Sequence, residues 1–164
     1  MKKNITFFLA ILFTLASGTK VFAQTSFSIM YQAEGTTPKP SIKVTAEYDI
    51  TTCYLTTPPS SCVSGPLLSI SKYISNGQTA LYVSTSPNPL ESYTIHKLSV
   101  GWSVVDPVNH LVYKREYTFN REQISDLSIT GELSVNLGND IIRLKRSTTV
   151  SPNVVYTVVL NKNP

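Results

Sequence analysis

The stretch SIKVTAEYDI, residues 41–50, alternates between polar and apolar side chains at every position. Its apolar members, which fall on one side of an extended chain, are Ile42, Val44, Ala46, Tyr48 and Ile50. A period of two residues belongs to a β-strand, because an amphipathic α-helix has its apolar residues three and four positions apart. This stretch therefore predicts a strand with one face in a core and the other in water.

The same alternation recurs on both sides of this stretch. It begins at residues 24–33, where Phe27, Ile29 and Tyr31 share one face. Further strands are predicted at residues 67–74, 79–85, 93–105, 110–119, 132–137, 141–146 and 153–160. Turn residues separate the strands about every eight to twelve positions, as in sandwiches and small barrels. We predict an all-β fold: a single small β-sandwich, immunoglobulin-like or similar, with about eight or nine mainly antiparallel strands.

Turn and cap residues predict how some of these strands connect. Asn-Gly at residues 76–77 predicts a hairpin that pairs residues 67–74 with 79–85, because Asn-Gly is the strongest short hairpin signal. Gly-Asn-Asp at residues 138–140 predicts a second hairpin. An Asn followed three residues later by a Gln predicts one short helical turn near residues 120–125.

Two further expectations concern the faces of the strands. The apolar face changes sides between Ile95 and Leu98, which predicts a β-bulge near His96 and Lys97. Aromatic residues that share a face with aliphatic ones are expected in the core. The tyrosines in this group are Tyr31, Tyr48, Tyr113 and Tyr117.

The first 23 residues have the pattern of a cleavable export signal. Lys2 and Lys3 precede an apolar run at residues 5–16, and Val21-Phe22-Ala23 offers a small-residue cleavage site. The run is shorter than the roughly 20 residues of a bilayer-spanning helix, although an uncleaved anchor is the alternative. We expect one domain, residues 24–164, exported to the periplasm, the cell surface or the medium, and the short leader is typical of bacteria.

The net charge argues against a nucleic-acid partner. Three of the fourteen Lys and Arg residues lie in the leader and all ten Asp and Glu residues follow it, so the mature chain has a formal charge of +1. Binding to phosphates needs a strong positive field. We expect a protein partner or self-association instead, with no transmembrane segment after cleavage. The small basic cluster at Arg143, Lys145 and Arg146 is interpreted as the solvated face of a strand.

Cys53 and Cys62 are the two cysteines of the chain. In an oxidising compartment an isolated pair most simply forms one structural disulfide, worth about 3 kcal/mol for a loop of about ten residues. The alternatives are a redox pair, which favours C-x-x-C, and half of a zinc site, which needs further ligands. No metal and no cofactor are expected.

No catalytic motif is present, so we predict that the protein is not an enzyme. The sequence lacks a nucleophile elbow, a zinc-protease motif and a phosphate-binding glycine loop. His96 and His110 are interpreted as ordinary strand and turn residues. Glu47 and Asp49 share a strand face, but two carboxylates supply too few oxygens for calcium. A small hydrolase assembled from distant residues is the minor alternative.

Two functions fit these observations. The first is a structural or adhesive surface subunit of the cell envelope, in which residues 24–35 form an exchangeable strand that places Phe27, Ile29 and Tyr31 in a neighbouring subunit's sheet. Bacterial fimbrial subunits associate in this way, and the arrangement is similar to theirs in outline. The simpler interpretation is that these residues form the first strand of their own sandwich.

The alternative function is a soluble periplasmic or secreted binding module, such as an inhibitor or an accessory factor. Residues 54–61 would form its recognition loop, held between the two cysteines. Tyr54 and Leu55 are the candidate contact residues, because a constrained loop loses little entropy when it binds.

Overall fold

The part of the chain that the structure describes is almost entirely β. The structure is a computed structural model, and it describes residues 26–35, 39–54, 61–83, 91–105, 108, 110–127, 131–148 and 153–162. The strands are β1 (Ser26–Gly35), β2 (Ile42–Tyr54), β3 (Ser61–Ser64), β4 (Leu68–Ile74), β5 (Thr79–Val83), β6 (Glu91–Val105), β7 (Val112–Asn120), β8 (Glu132–Leu137), β9 (Asp140–Thr148) and β10 (Asn153–Lys162). One helix, α1 (Arg121–Ser125), follows β7.

The strands form two sheets that pack against each other. Sheet A has the order β5-β1-β10-β9-β8, and sheet B has the order β3-β2-β6-β7 with β4 also paired to β2. The all-β sandwich prediction is confirmed. Ten strands are described instead of eight or nine, because residues 61–74 pair along β2 as two strands, β3 and β4, with a break between them.

The core lies between the sheets and follows the period of two. In β2, Ile42, Val44 and Ala46 are fully buried, while Tyr48 and Ile50 are half-buried and pack against them. The lysine and threonine between them face outward. The opening prediction for residues 41–50 is therefore confirmed, since the alternation assigns one face of β2 to the core.

The predicted bulge lies on β6. Glu47 pairs with Lys97 and Tyr48 pairs with Ile95, so His96 has no residue opposite it on β2. The extra residue turns the apolar face, and both Ile95 and Leu98 are buried as a result. The local change in pattern was a sufficient signal for this feature.

The predicted hairpin at residues 76–77 is wrong. Residues 68–74 pair with β2 in sheet B, whereas residues 79–83 pair with β1 in sheet A. The Asn-Gly turn is thus a corner between the two sheets, with Gly77 at a φ of +80°. Its polar groups bond to β1, which a corner permits and a hairpin within one sheet would not. The hairpin at residues 138–140 is confirmed, because β8 pairs with β9 across it.

The tyrosine predictions hold with one exception. Tyr31 is buried, and Tyr48 and Tyr117 are half-buried against the core. Tyr113 is exposed, so its assignment to the core is wrong. The β6–β7 hairpin extends beyond the last pairing of β2 with β6, at Ile42, so Tyr113 lies past the end of β2.

The short helix is confirmed with its caps. The Asn120 side chain accepts a hydrogen bond from the Gln123 backbone N–H at 2.9 Å, and the Gln123 side chain accepts one from the Asn120 N–H at 3.0 Å. This reciprocal pair satisfies backbone donors that the helix itself cannot. Ile124 is the buried residue of α1, so the turn closes one end of the core.

Candidate interaction site

The first described strand lies in the middle of sheet A. All ten residues of β1 pair with β10 in parallel, from Ser26 opposite Asn153 to Gly35 opposite Lys162. On its other side, residues 26–30 pair with β5 in antiparallel orientation. Every other strand pairing that the structure describes is antiparallel. The N-terminal strand therefore joins β5 to the rest of sheet A.

The three residues of β1 that the sequence singled out lie in the core of their own chain. Phe27, Ile29 and Tyr31 have exposed fractions of 1%, 0% and 0%. The Phe27 ring meets the rings of Tyr48 and Tyr93 edge to face, with centroids 5.4 and 5.9 Å away. Such contacts add to the area that each ring buries. The apolar face of β1, which could have packed in a neighbouring subunit, packs here against strands β2 and β6 of its own chain.

Tyr31 also joins β1 to the segment that follows it. Its hydroxyl donates a hydrogen bond to the Pro40 carbonyl oxygen at 2.9 Å. Burial raises the pKa of Tyr31 from 10.0 to about 12, so the phenol stays protonated and able to donate. The link between β1 and β2, residues 36–41, is therefore held at its far end by a side chain of β1.

Residues 76–78 form hydrogen bonds to the part of β1 that extends past its pairing with β5. The Gly77 N–H donates to the Tyr31 carbonyl oxygen at 2.9 Å, and the Tyr31 N–H donates to the Gln78 carbonyl oxygen at 3.1 Å. The Ala33 N–H donates to the Asn76 side-chain oxygen at 2.6 Å. Backbone groups of β1 that β5 does not reach are satisfied by the turn instead.

Ion pairs on the outer face of sheet A reach β1 from its other side. Arg143 on β9 pairs with Glu34 of β1 and, at 3.5 Å, with Glu132 of β8. Lys145 pairs with Glu132 at 3.2 Å. Two members of the basic cluster therefore lie on a strand face, as predicted, but with carboxylate partners. The third, Arg146, donates to the Leu127 carbonyl oxygen at 3.1 Å.

The disulfide between Cys53 and Cys62 is confirmed. The two residues lie directly opposite each other on β2 and β3. Tyr54 and Val63 extend from the other face of this hairpin and are 53% and 58% exposed. Leu55 and the rest of the predicted recognition loop, through residue 60, lie outside the described residues. The structure thus shows an exposed tyrosine beside the bridge.

A buried polar contact that the sequence pattern did not predict joins the two sheets. The buried Asp140 carboxylate accepts hydrogen bonds from the Trp102 indole N–H at 3.0 Å and from Arg115 at 2.9 Å. Arg115 also donates to the Leu137 carbonyl oxygen at 3.1 Å. These bonds fasten the β8–β9 turn to strands β6 and β7. No spacing in the sequence brings the three residues together, because they meet only across the sandwich.

On β6, His96 and Lys97 each pair with one carboxylate of β2. His96 Nε2 lies 2.8 Å from Asp49 Oδ2, and Lys97 lies 3.3 Å from Glu47 Oε1. His110 is exposed at the start of the β7 segment with a φ of +58°. Within the described ranges, no group of three or more His, Cys, Asp and Glu side chains is placed to hold a metal ion. Among the same residues, no helix has the length and hydropathy to cross a bilayer.

Comparisons of the chain with protein-family models, with curated proteins and with solved structures gave no match. A functional proposal therefore has to be supported by the geometry described above.

Proposed function

We propose that this protein is a non-enzymatic, exported subunit of the cell envelope, with a structural or adhesive role, and that its copies associate by exchanging β1. One observation carries the proposal: a strand at the N-terminal end of the described chain occupies an interior position of a sheet. A terminal strand is the segment of a sandwich that can leave its place with the fewest other connections broken. Here residues 36–41 connect the C-terminal end of β1 to β2.

The departure of β1 would leave a specific vacancy. The facing edges of β5 and β10 would lose their backbone partners, and the pocket of Phe27 between Tyr48 and Tyr93 would open. An open edge above an apolar groove is a strong template for another strand. The strand with the best fit is an identical β1 from another copy, since it brings the same side chains in the same register.

The link between the strands supports exchange of a whole strand. Residues 36–41 read Thr-Thr-Pro-Lys-Pro-Ser. Prolines fix their own φ and restrict the preceding residue to extended conformations. A short link with two prolines favours an extended course, which is the course a strand takes when it reaches a neighbouring copy. The disulfide and the leader pattern together support a location in an oxidising compartment outside the cytoplasm.

The test uses two chains that each carry one added cysteine. Met30 on β1 and Thr157 on β10 are register partners, and both are half-buried on the outer face of sheet A. Met30→Cys and Thr157→Cys chains are refolded together and oxidised. We expect a disulfide that joins residue 30 of one chain to residue 157 of another, identified by peptide mass spectrometry. Exclusively monomeric products would end the exchange proposal.

A matched control comes from sheet B. Thr45 on β2 and Ser71 on β4 are also outward-facing register partners, but neither strand is proposed to leave its chain. Thr45→Cys and Ser71→Cys chains, treated in the same way, should give no bridge between chains. A single chain with both Met30→Cys and Thr157→Cys should form the bridge internally when it is dilute, which verifies the register.

The second candidate function is a binding module, favoured by the exposed Tyr54 and Val63 beside the disulfide. Replacing Tyr54 and Leu55 with serine should leave the free energy of unfolding nearly unchanged, because Tyr54 is half-exposed. If the module binds a partner through residues 54–61, this variant should no longer capture it in a pull-down. Retained capture by the serine variant would exclude the loop as the recognition site.

A further inference from the structure

Gly101 lies in the interior of β6 and faces outward on sheet B. It pairs with Lys43 of β2 on one side and with Glu116 of β7 on the other. Beyond Lys43, the same row continues to Tyr73 on β4. Four strands thus place a tyrosine, a lysine, a glycine and a glutamate side by side on one flat face, and the glycine leaves a notch between the longer side chains.

Among the residues that the structure describes, no contact requires a glycine at this position. The pairing runs in register through Gly101, and the β6 bulge lies at His96 instead. Gly101 is not among the glycines with positive φ. A Cβ there would meet no atom closer than the carbonyl oxygens of Arg115 at 3.7 Å and Lys43 at 3.9 Å, which is ordinary contact. An alanine would therefore fit without strain.

Glycine in a strand interior has a cost, so its presence needs a reason. It weakens a strand by about 0.5–1 kcal/mol relative to alanine. Besides a bulge or a bend, a recurrent reason for such a glycine is that another molecule approaches the backbone closely. The approach cannot add a strand by backbone pairing, because Gly101 already has a neighbouring strand on each side. The approaching molecule would therefore lie on the outer face of sheet B.

The notch belongs to a shallow cleft of about 380 Å³. Its floor is Gly101, and its walls include Tyr73, Lys43, Lys114 and Glu116. Tyr73 is 78% exposed, which is more than the exposed fraction of either Tyr54 or Tyr113. Small-molecule sites typically measure about 300–1,000 Å³ and combine an aromatic surface with a few polar groups.

We propose that this cleft binds a single sugar ring of a glycan. One side of such a ring is covered with C–H groups that pack on an exposed tyrosine, and its rim carries hydroxyls that both donate and accept hydrogen bonds. Tyr73 offers the amphipathic ring. Lys43 and Lys114 can only donate and Glu116 can only accept, so the wall matches a mixed rim of hydroxyls. Arg115 also lines the cleft but is paired with Asp140, and the Glu116 carboxylate disfavours a phosphate, which the two lysines would attract.

The adjoining row of the sheet is also suited to a flat polar ligand. Thr45 bonds to Ser71 at 2.7 Å, and Ser99 bonds to Thr118 at 2.8 Å. Small hydroxyl side chains that are already paired with each other leave a level surface beside the notch, over which a second sugar unit can extend. This site lies on sheet B and does not depend on the exchange of β1 proposed above.

The test is an NMR titration of the full isotope-labelled mature chain. The probes are the methyl glycosides of glucose, galactose, mannose and N-acetylglucosamine, together with N-acetylneuraminic acid. We expect at least one probe to shift the backbone amides of Lys43, Gly101 and Glu116. Tyr73→Ala should weaken that binding about tenfold or more, while Tyr73→Phe retains it. Tyr113→Ala, which removes another exposed tyrosine, should bind as the unchanged chain does.

A second variant separates the site from the fold. Gly101→Thr adds a β-branched side chain that suits a strand, and its Cβ would make only ordinary contacts, so the melting temperature should stay level or rise. The same side chain fills the notch, and probe binding should fall about tenfold or more. The proposal is overturned if no probe shifts these amides, if the shifts lie elsewhere, or if Gly101→Thr or Tyr73→Ala binds undiminished.

Discussion

Sheets A and B are held together by different parts of the chain. In sheet B, β2 pairs with β3 and β4, which follow it directly, and β6 pairs with β7. In sheet A, the first and last described strands pair with each other at the centre. Contacts between distant segments carry a larger loop-closure cost than local ones. The pairing of greatest sequence separation therefore involves the N-terminal strand in sheet A, whereas in sheet B it joins β2 to β6, and a disulfide closes β2 onto β3.

The outer faces of the two sheets differ as well. On sheet A, the charges of Glu34, Arg143, Glu132 and Lys145 pair with each other. On sheet B, paired hydroxyls lie beside the Gly101 notch and the exposed Tyr73. Both faces pair many of their own polar groups, and sheet B additionally carries the glycine notch and an exposed tyrosine. The comparison teaches that the two proposed activities, association and ligand binding, belong to separate sheets and can be tested separately.

The largest expected effect comes from shortening a core side chain of β1. Ile29→Ala should lower the free energy of unfolding by about 4 kcal/mol, because it removes a fully buried side chain and leaves a cavity. Val44→Ala on β2 is the matched change in sheet B. In native-state hydrogen exchange, Ile29→Ala should ease the opening of β1 amides while those of β2 keep their protection. Equal weakening of both strands would contradict the separability of β1.

Removal of the disulfide should have the next largest effect. Replacing Cys53 and Cys62 with serine should lower the free energy of unfolding by about 3 kcal/mol, since the unfolded chain regains the entropy of an open loop. Urea denaturation measures this loss. Cross-linking through Met30→Cys and Thr157→Cys should continue in the variant, because the bridge lies in sheet B. Loss of that cross-link in a folded variant would show that the sheets are not independent.

A smaller effect is expected where the sheets are fastened to each other. Asp140→Ala should cost about 2 kcal/mol, because it leaves the buried Trp102 indole N–H and the Arg115 guanidinium without their acceptor. Glu132→Ala, which removes an exposed partner of Arg143 and Lys145, should cost less than about 1 kcal/mol. Thermal or urea unfolding compares the two. If Glu132→Ala proved the more harmful change, the assignment of Asp140 as the main polar contact between sheets would be wrong.

The smallest effect is a change in pH dependence at β1. Because burial raises the pKa of Tyr31 from 10.0 to about 12, the folded chain holds this proton more tightly than the unfolded chain. Its contribution to stability is complete below pH 10 and is lost as the pH rises towards about 12. Between pH 10 and about 12, the free energy of unfolding of the Tyr31→Phe variant should therefore fall less than that of the unchanged chain. An unchanged alkaline slope in urea titrations would place Tyr31 in a solvated environment.

The alternation of side chains predicted the faces of the strands well and their neighbours poorly. The buried face of β2 and the bulge at His96 depend on residues close together in the sequence, so a local pattern sufficed. The pairing of β5 with β1 instead of β4 depends on which edges meet in space, which a period of two does not encode. Tyr113 kept its predicted face, but its strand extends past the core.

The same limit applies to the candidate sites. Cys53 and Cys62 were predictable as a disulfide, because two cysteines in a chain that begins with an export-signal pattern have one simple pairing. The groups around Gly101 come from four strands, and the residues around Asp140 come from both sheets. Their meeting follows from strand order and register. A glycine inside an otherwise regular strand pattern was the one local sign of the notch.

The most direct test of the central claim is whether sheet A needs β1 and accepts it from outside. A chain of residues 36–164, which lacks β1, should show no cooperative thermal transition by near-ultraviolet circular dichroism. Addition of a synthetic peptide of residues 24–35 should restore the transition, and a peptide with Phe27, Ile29 and Tyr31 changed to serine should not. A shortened chain that melts cooperatively near the full chain's temperature, with no peptide present, would contradict the account.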